Sequence, residues 1–519
     1  SGSAAIYANN ATVGLGSGFS TTINNGGLLF YRGGTGNLSV TGTSTANINS
    51  GGTAFYLSGG TVASLGNLVS SGNLALNMAS GSSLVGWDSP STPIQSSAMP
   101  TLLSVSSITN TTVTGSGYNN FLINKATVDI NSAVNLDTYA GKYYDKVDFV
   151  SSNVGVSSGG SLTGTNSNQI GIAQRSYNGA TVGSINLTNS GTISMSGSDS
   201  TGIAGDFATI TNNAAGIITI SGNKSTGIFS ANGSLTKNSG IINVNTSGAG
   251  NSSVGIYGSN NFGGSAATYG DQKINITNDG TIRYGGSLTS DGIGIYVKNN
   301  NANKSDALIT LNGSSNIDMT GSKSGVGIFA DKALINIAAG KIKAGENITG
   351  IYAENGTEIS TTGGTIDIYE KGVGIYLAGS SKYNSGTGKF VLYEEGGAVF
   401  GLENGSVFNI TTANIDNTTY GGGSALSFVL GSVGKKAYTH NSVINLGAID
   451  NATLLGTKGG VITLGTSSDL QSTGKSVVGI GAGSIKDSSV AGTREITNSG
   501  NIKLTGEGST GIYVKDGAR

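Results

Sequence analysis

Hydrophobic residues in this chain recur in short alternating runs, and the runs themselves return at a nearly fixed distance. A phrase close to Asn-Ser-Gly-Thr-Ile occurs at residues 189–193, 238–242, 278–282 and 498–502. A second phrase, Thr-Gly-Ile-Tyr or a close variant, is centred on Ile203, Ile228, Ile256, Ile295, Ile328, Ile351, Ile375 and Ile512. From Ile203 to Ile375 these isoleucines are 25, 28, 39, 33, 23 and 24 residues apart. A minimum of 23 with longer exceptions is typical of a stacked repeat with loop insertions.

The runs predict strands. Within residues 185–210, apolar residues lie two apart and are interrupted by Asn, Ser, Asp and Gly. A period of two over so few residues indicates β-strands rather than helices. Such short strands bury their apolar side only when successive repeats stack, at a spacing of ~4.8 Å. Two or three strands per repeat, with Gly and Asn at the corners, predict an all-β fold. We expect a parallel β-helix (solenoid), a long rod with irregular loop insertions.

The alternation also predicts which side chains face the core. In residues 292–297, the apolar residues Ile293, Ile295 and Val297 fall on one side of the strand, so we expect them to point inward. The glycine and the aromatic residue of each phrase would then point outward. These aromatic residues are expected to align in one column: Phe229, Tyr257, Tyr296, Phe329, Tyr352, Tyr376 and Tyr513. The column is interpreted first as a ladder that stabilises adjacent coils, and alternatively as a stacking platform for sugar rings or a partner protein.

Asparagine recurs at the same point of the repeat. The first residue of the first phrase is always asparagine, followed by Ser-Gly or Asp-Gly: Asn189, Asn238, Asn278 and Asn498. Asn tolerates left-handed backbone and hydrogen-bonds its neighbours, so we place these residues at corners. Stacked corners would bring them into asparagine ladders.

Composition narrows the class of protein. The chain has 519 residues with 88 Gly, 3 Pro, 1 His and no Cys. Its net charge of −1 favours neither nucleic acid nor an anionic membrane as a partner. It contains no apolar segment of ~18 residues, so we expect no insertion of this chain into a membrane. The absence of Cys fits an exported bacterial surface protein. Strand-like sequence at the start and a repeat phrase just before the end suggest a piece of a longer protein.

The pattern divides the chain into segments. We assign degenerate β-helix coils to 1–83, a non-repeat insertion to 84–150, regular coils to 151–377, coils with irregular loops to 378–477 and regular coils, cut short, to 478–519. In the first segment, three triplets stand where Gly-Ile-Tyr would: Ala5-Ile6-Tyr7, Leu28-Leu29-Phe30 and Ala54-Phe55-Tyr56. The 84–150 segment holds all three prolines and the only tryptophan, and ends in a Tyr-, Lys- and Asp-rich run. We expect it to project from the rod, with a short helix, as a candidate recognition element.

Residues that could carry chemistry are sparse. A serine-protease triad needs a histidine, and the only one is His440, in a polar segment where a solvated role is expected. A polysaccharide lyase or hydrolase needs paired carboxylates or an acidic calcium cluster along one face. The candidate pairs are Asp145 and Asp148, Asp367 and Glu370, and Glu394 and Glu395. None recurs at equivalent positions of adjacent coils, so we predict no enzyme, no cofactor and no metal site.

Partner binding is the remaining class of function. Trp and Tyr are enriched at binding hot spots, so the best candidates are aromatic residues in irregular segments. They are Trp87, Tyr139, Tyr143, Tyr144, Phe262, Tyr269, Tyr383 and Tyr393. The alternative for Trp87 and its neighbouring tyrosines is that they cover an open face of the rod.

The phrases Asn-Ser-Gly-Thr-Ile and Ser-Thr-Gly-Ile-Tyr, on a Gly-, Ser- and Asn-rich background without Cys, resemble the passenger domains of very large fusobacterial autotransporter (type V secretion) adhesins. The resemblance is clearest over 181–377 and 478–519. It implies an extracellular rod held by a C-terminal outer-membrane barrel that attaches the bacterium to host receptors, glycans or other bacteria. The 84–150 segment matches no motif of the family, so no binding residue is carried over.

We therefore expect a structural and interaction protein rather than an enzyme. It would be a monomeric adhesin segment on the bacterial cell surface, outside the outer membrane, with a role in virulence. Its partners would be a host cell-surface receptor, protein or glycan, or other bacteria, bound through loops on the rod. The alternatives are a β-helical polysaccharide lyase or hydrolase, and a purely structural spacer. Stacked acidic residues in a groove would favour the enzyme, whereas protruding aromatic loops would favour the adhesin.

Overall fold

The computed structural model is almost entirely β-structure. It describes residues 3–104, 108–138, 147–174, 185–246, 252–260, 272–285, 291–369, 372–393, 398–402, 407–409, 414–416, 426–429, 437–440, 443–445, 450, 452–457, 460–482 and 494–514. The chain divides into two compact units, Ser1–Thr219 and Ile220–Arg519. Each unit is a parallel β-helix, so the predicted fold class is confirmed.

The strands of the first unit are β1 (Ala4–Asn9), β2 (Thr12–Leu15), β3 (Ser20–Ile23), β4 (Leu28–Gly33), β5 (Asn37–Ile48), β6 (Thr53–Ser58), β7 (Val69–Met78), β8 (Ser83–Asp88), β9 (Ile94–Gln95), β10 (Thr111–Gly115), β11 (Asn119–Asn124), β12 (Thr127–Ile130), β13 (Ala133–Asn135), β14 (Val147–Val150), β15 (Asn153–Val156), β16 (Ser161–Gly164), β17 (Ile170–Gln174), β18 (Asn186–Asn189), β19 (Thr192–Met195), β20 (Thr201–Asp206), β21 (Thr209–Asn212) and β22 (Ile217–Ile220), which reaches the first residue of the second unit. Its helical segments are α1 (Met99–Ser104) and three 3₁₀ turns at Val62–Asn67, Ser96–Ala98 and Leu136–Thr138.

The strands of the second unit are β23 (Thr226–Ala231), β24 (Leu235–Asn238), β25 (Ile241–Val244), β26 (Val254–Ser259), β27 (Ile274–Asn278), β28 (Thr281–Tyr284), β29 (Asp291–Lys298), β30 (Ala307–Leu311), β31 (Asn316–Asp318), β32 (Ser324–Asp331), β33 (Leu334–Ile337), β34 (Lys341–Ala344), β35 (Ile348–Glu354), β36 (Glu358–Thr361), β37 (Thr365–Ile368), β38 (Val373–Leu377), β39 (Lys382–Ser385), β40 (Lys389–Leu392), β41 (Ala398–Leu402), β42 (Val407–Asn409), β43 (Asn414–Asp416), β44 (Leu426–Val429), β45 (Ala437–His440), β46 (Val443–Asn445), β47 (Ala452–Thr457), β48 (Gly460–Leu464), β49 (Asp469–Ser472), β50 (Val478–Ala482), β51 (Arg494–Asn498), β52 (Asn501–Leu504) and β53 (Thr510–Val514). One 3₁₀ turn lies at Lys304–Asp306.

Three strands make one coil of the second unit, and each strand pairs in parallel with the strand one coil later. We call the three sides face 1, which starts at β23, face 2, which starts at β24, and face 3, which starts at β25. Face 1 runs through every third strand to β53. Face 2 pairs from β24 to β42 and again over β45, β48 and β51, and face 3 pairs from β25 to β43 and again over β46, β49 and β52. The repeat phrase Gly-Ile-Tyr is therefore the face 1 strand.

The core is a set of in-register apolar columns. On face 1, one isoleucine per coil is fully buried: Ile228, Ile256, Ile295, Ile328, Ile351 and Ile375. Each pairs in register with the next where the strands meet, as Ile295 does with Ile328 and Ile328 with Ile351. Burying a side chain of this size contributes roughly 1.5–3 kcal/mol each, so stacking supplies what a single short strand cannot.

The predicted direction of the glycine was wrong. Gly294 is buried and Ile293 is half-buried, so two consecutive residues, Gly294 and Ile295, face inward and Ile293 faces outward. A Cβ on Gly294 would lie 2.5 Å from the carbonyl oxygen of Gly327 and 2.8 Å from Cγ2 of Ile317. The same conflict recurs at the corresponding glycines of other coils, namely Gly227, Gly255, Gly327 and Gly350. The position requires glycine because there is no room for a side chain, and the simple period of two breaks there.

The predicted asparagine ladders are present for Asn189, Asn238 and Asn278, but inside the coil, whereas Asn498 is exposed and pairs in register with Leu464. Asn189 donates from Nδ2 to Oδ1 of Asn212 over 2.8 Å, and Asn238 donates likewise to Asn278 over 2.7 Å. All four side chains are fully buried. Each residue ends a strand in extended conformation, so the expected left-handed backbone is not what selects it. The amide satisfies buried polar groups where the chain turns.

Residues 84–150 do not project as an insertion in the described part of the chain. The strand β8 pairs with β6 before it and with β11 after it, and β10 pairs with β7. The expected short helix is present as α1, but it is part of a coil. In segment 1–83, the second predicted triplet, Leu28-Leu29-Phe30, is one residue too early. Ile6 pairs in register with Phe30 and Tyr7 with Tyr31.

One corner of the first unit is held by a carboxylate. Asp137 accepts hydrogen bonds from the backbone N–H groups of Thr165 at 2.9 Å and Asn166 at 3.1 Å. Nε2 of Gln169 donates to it over 3.0 Å. Partial burial opposes ionisation, but these donors together outweigh it and lower the pKa of Asp137. The charged form therefore ties one coil to the next.

Candidate interaction surfaces

The outer side of face 1 in the second unit carries three parallel columns of side chains. The first column is half-buried and mainly β-branched: Val254, Ile293, Val326, Thr349 and Val373. The second is the aromatic column, and the third is polar, with Lys298, Asp331 and Glu354 in register. We call these three columns together the face 1 strip. Strand pairing alone aligns them, because every coil repeats the same outward positions.

The aromatic column is a stacked ladder of six rings. Its members are Phe229, Tyr257, Tyr296, Phe329, Tyr352 and Tyr376. Neighbouring ring centroids are 4.9 to 5.3 Å apart. The angle between ring planes falls from 31° at the Tyr257–Tyr296 pair to 5° at the Tyr352–Tyr376 pair. The predicted alignment is confirmed for these six residues.

Tyr513 is the exception to the predicted column. It pairs in register with Gly481 and is 45% exposed, so no ring lies beside it in the preceding coil. At the upper end of the ladder, Tyr376 covers Gly401, where a Cβ would lie 2.3 Å from the ring. The ladder therefore ends where the next coil has a glycine, Gly401, at the aromatic position.

The stacking argues against one interpretation of the column, the platform for sugar rings. Sugar rings bind to the flat faces of aromatic side chains, but inside this ladder each face lies against the next ring. What the ladder offers to solvent is ring edges and tyrosine hydroxyls. The geometry therefore favours a stabilising ladder over a sugar-stacking platform. Each ring pair contributes roughly 0.5–1.5 kcal/mol beyond its buried area.

The hydroxyl of Tyr296 remains protonated at neutral pH. Partial burial raises the pKa of Tyr296, and Tyr257, Asp331 and Glu354 raise it further. A protonated hydroxyl donates a hydrogen bond, so Tyr296 presents a donor next to the carboxylates of the polar column. Asp331 is held in place by Asn355, whose Nδ2 donates to its Oδ1 over 2.8 Å.

Face 3 carries a second outward pattern, made of opposite charges in neighbouring coils. Lys343 Nζ lies 2.7 Å from Oδ2 of Asp318, and Lys341 Nζ lies 3.1 Å from Oδ2 of Asp367. Burial opposes ionisation of Asp318, but hydrogen bonds from Lys343 and Thr320 lower its pKa. The hydrogen bond to Asp318 raises the pKa of Lys343. These charges neutralise each other between coils.

Two of the predicted binding residues are in the core. Trp87 is fully buried, and its Nε1 donates to the carbonyl oxygen of Gly59 over 2.7 Å. Tyr383 is 1% exposed and shares a hydrogen bond of 2.9 Å with Thr361, and burial raises its pKa to about 12. Neither side chain is accessible to a partner, so their prediction as contact residues was wrong. Both fill inward positions of paired strands, where a large ring replaces the usual isoleucine.

Tyr393 is half-buried at the surface of face 3 and stacks on Tyr369, with ring centroids 4.7 Å apart and 6° between planes. Sequence reasoning missed Tyr369, although it lies one coil earlier at the same position after its strand. The other predicted contact residues lie outside the described residues: Tyr139, Tyr143, Tyr144, Phe262 and Tyr269.

The carboxylates considered for catalysis do not form a described pair. Asp367 is buried and bonded to Lys341. Asp148 lies in β14 and His440 ends β45. Asp145, Glu370, Glu394 and Glu395 lie outside the described residues.

A buried asparagine network at one corner of the second unit was not predicted. Asn260 donates from Nδ2 to Oδ1 of Asn299 over 2.8 Å and to the carbonyl oxygen of Gln272 over 3.3 Å. Asn299 in turn donates to the carbonyl oxygen of Lys332 over 2.7 Å. The only sequence signal was the run of asparagines at 299–301. The network joins the two ends of the segment between Asn260 and Gln272 and fixes them to the next two coils.

The first unit has a polar outer face built by β5, β7 and β10. Asn77 Nδ2 donates to Oδ1 of Asn47, and Thr114 Oγ1 donates to Oδ1 of Asn77. A shallow open depression of about 420 Å³ lies over these side chains. Its lining is split between polar and apolar atoms and holds no charged group among the described residues.

Across the described ranges, we find no cluster of three or more His, Cys, Asp or Glu side chains suited to a metal ion. The helices in those same ranges are too short to cross a membrane. No protein-family model matches the chain. No curated protein is significantly similar to it in sequence.

Proposed function

We propose that this chain is a segment of a bacterial surface adhesin, an autotransporter passenger that displays contact surfaces on a β-helical scaffold. It would act outside the outer membrane and attach the cell to a host receptor or to other bacteria. The proposal rests on the fold together with the repeat phrases that resemble such passengers. One observation carries it furthest, namely the continuous face 1 strip on the outside of the second unit.

The face 1 strip has the composition of a recognition surface. Half-buried tyrosine and phenylalanine edges run over six coils beside a mainly β-branched column, and in three of these coils a charged residue, Lys298, Asp331 or Glu354, lies on the other side. Aromatic residues are enriched at protein interfaces, and polar rims surround their cores. Protein partners use ring edges and hydroxyls, which the ladder offers, whereas stacked sugars need the covered ring faces. A protein receptor therefore suits the strip better than a glycan.

The area of the strip suggests weak individual contacts. Six coils at ~4.8 Å span about 24 Å, and five residues along a strand span about 17 Å. The product is about 400 Å², roughly half of the ~800 Å² that each partner contributes to a stable interface. Adhesion through such a strip would depend on many copies bound at once, since linked weak contacts gain avidity.

The test is binding of the chain to host cells, to a panel of receptor ectodomains and to a glycan array. The variant replaces Tyr257, Tyr296, Tyr352 and Tyr376 by Phe, which keeps the stacked rings and removes the hydroxyl donors. The matched control makes the same change at Tyr31 and Tyr56, which stack in the first unit with ring centroids 5.3 Å apart. Circular dichroism confirms that both variants remain folded.

Binding that is lost in the first variant and kept in the control would support recognition through the face 1 strip. Equal binding by both variants would move recognition to other surfaces of the same adhesin. If the unmodified chain, presented in many copies on beads, bound no cell, receptor or glycan, the adhesin proposal would fail for this segment. The remaining alternative would then be a spacer. Release of reducing ends from polysaccharides would instead indicate the lyase or hydrolase.

A further inference from the structure

Two features bring tyrosines of neighbouring coils into contact: in-register pairing and half-exposed outward positions. Tyr369 and Tyr393 have centroids 4.7 Å apart with planes 6° apart, and Tyr352 and Tyr376 are 5.1 Å and 5° apart. Because nearly parallel rings repeat along the stack, each ring atom lies about 5 Å from its counterpart, close to the strand spacing. The carbons next to the two hydroxyls therefore face each other.

We propose that these pairs are sites of oxidative cross-linking to dityrosine between adjacent coils. The oxidant is a haem peroxidase acting with hydrogen peroxide. This proposal is independent of the adhesin proposal and concerns a modification of the scaffold itself.

The chemistry balances as follows. Each phenol loses one electron to the peroxidase and its hydroxyl proton to water, which leaves two phenoxyl radicals. The radicals couple through a new bond between one Cε carbon of each ring. Each ring then regains its phenol as the hydrogen on that carbon moves to the oxygen through water. Two tyrosines and one hydrogen peroxide thus give one dityrosine and two waters, with a loss of two hydrogen atoms from the protein.

The surroundings favour coupling over other fates of the radical. The chain has no Cys, so no thiol of its own returns an electron to a tyrosyl radical. Both partners are outside the core, so a ring can swing the remaining distance about its side-chain bonds. The rings are held together in every molecule, which gives a high effective concentration without a second chain.

The ladder also contains an internal control position at which no cross-link can form. Phe329 stacks between Tyr296 and Tyr352, with centroids 4.9 and 5.1 Å away. Phenylalanine has no hydroxyl to oxidise, so no link forms across this position. The buried Tyr383 is a second internal control, because its ring lies against Phe390 and Phe400, with centroids 5.9 and 5.2 Å away and planes 63° and 55° apart.

The experiment treats the dilute folded chain with a haem peroxidase and hydrogen peroxide, then measures dityrosine fluorescence and maps tryptic peptides by mass spectrometry. We expect peptide 344–371 joined to 372–382 through Tyr352 and Tyr376, and joined to 390–435 through Tyr369 and Tyr393. Each product lacks two hydrogen atoms relative to the sum of its peptides. The yield of these two products should exceed that of the urea-unfolded chain by about tenfold, because unfolding removes the proximity.

Two variants sharpen the test. Tyr376→Phe should abolish the product with 372–382 and leave the Tyr369–Tyr393 product unchanged. Phe329→Tyr should add links between peptide 324–332 and its neighbours in the ladder. Cross-links that form only between separate chains, with a yield that rises with protein concentration, would overturn the proposal. So would links that form equally in the unfolded chain or that involve Tyr383 as often as Tyr376.

Discussion

The inward glycine of face 1 gives the sharpest test of how a coil packs. Replacing Gly294 by Ala places a Cβ 2.5 Å from the carbonyl oxygen of Gly327 and 2.8 Å from Cγ2 of Ile317. The isoleucine can shift, but the carbonyl belongs to the next coil and cannot move without disturbing the strand pairing. If the glycine pointed outward, as the simple alternation predicts, the substitution would be harmless.

The expected magnitude follows from two opposing effects. Overpacking of a dense core typically costs about 1–3 kcal/mol. Replacing Gly by Ala restricts the unfolded chain and stabilises the fold by roughly 0.4–1 kcal/mol. With a rigid carbonyl as the obstacle, we expect Gly294→Ala to lower the free energy of unfolding by about 2 kcal/mol. Gly511 occupies the same place in the last described coil, but a Cβ there meets nothing within 4 Å, so Gly511→Ala is the matched control.

The assay is urea unfolding followed by circular dichroism, with hydrogen exchange read on peptides that cover β29 and β53. Peptide-resolved exchange is needed because stacked coils can open locally before the whole chain unfolds. We expect faster exchange around β29 in Gly294→Ala and unchanged exchange around β53 in Gly511→Ala. Equal stability and exchange of Gly294→Ala and the unmodified chain would refute the inward placement of the glycine.

Three further predictions concern Asn278, Asp137 and Trp87. Asn278→Ala removes the acceptor of Asn238 and should cost about 1–3 kcal/mol in urea unfolding, whereas an unchanged midpoint would contradict the ladder. Because the folded pKa of Asp137 is lowered, its stabilisation is complete above the unfolded pKa of about 3.9 and is lost as the pH falls through the folded value. Melting temperatures of the chain and of Asp137→Asn should therefore differ at neutral pH and converge in acid; a constant difference would exclude this role. Trp87 is the only tryptophan, so acrylamide should quench the folded chain's emission weakly and the unfolded chain's strongly. Strong quenching of the folded chain would place Trp87 at the surface.

The repeat phrase predicted the architecture because period and burial are directly coupled. One isoleucine per 23 to 39 residues is one inward position per coil, and insertions lengthen a step without moving that position. The aromatic ladder followed from the same register. Both features can be predicted from the repeat pattern alone, because in-register stacking places equivalent residues of successive coils next to each other.

What the sequence did not predict depends on local geometry or on partners far along the chain. Two consecutive inward residues, Gly294 and Ile295, interrupt a period that had been assumed to be constant. Trp87 and the prolines around it looked irregular, but a larger inward side chain and a short helix fit within the coil. Tyr284 is another such case, since it is buried and its hydroxyl accepts a hydrogen bond from Ile293 N–H over 2.8 Å. An aromatic residue at a strand end gave no sign that it would fill the core.

The corner network of Asn260, Gln272 and Asn299 separates the length of the chain from the integrity of the coil. Because Asn260 holds the carbonyl of Gln272 and the next coil at the same time, the base of the connection is fixed whatever lies between these residues. Coil steps of 39 and 33 residues occur beside steps of 23 on the same face. At such a corner, the intervening sequence can be exchanged for one of different length, in evolution or by design. Folding then constrains the residues of the corner network, Asn260, Gln272 and Asn299, rather than the sequence between them.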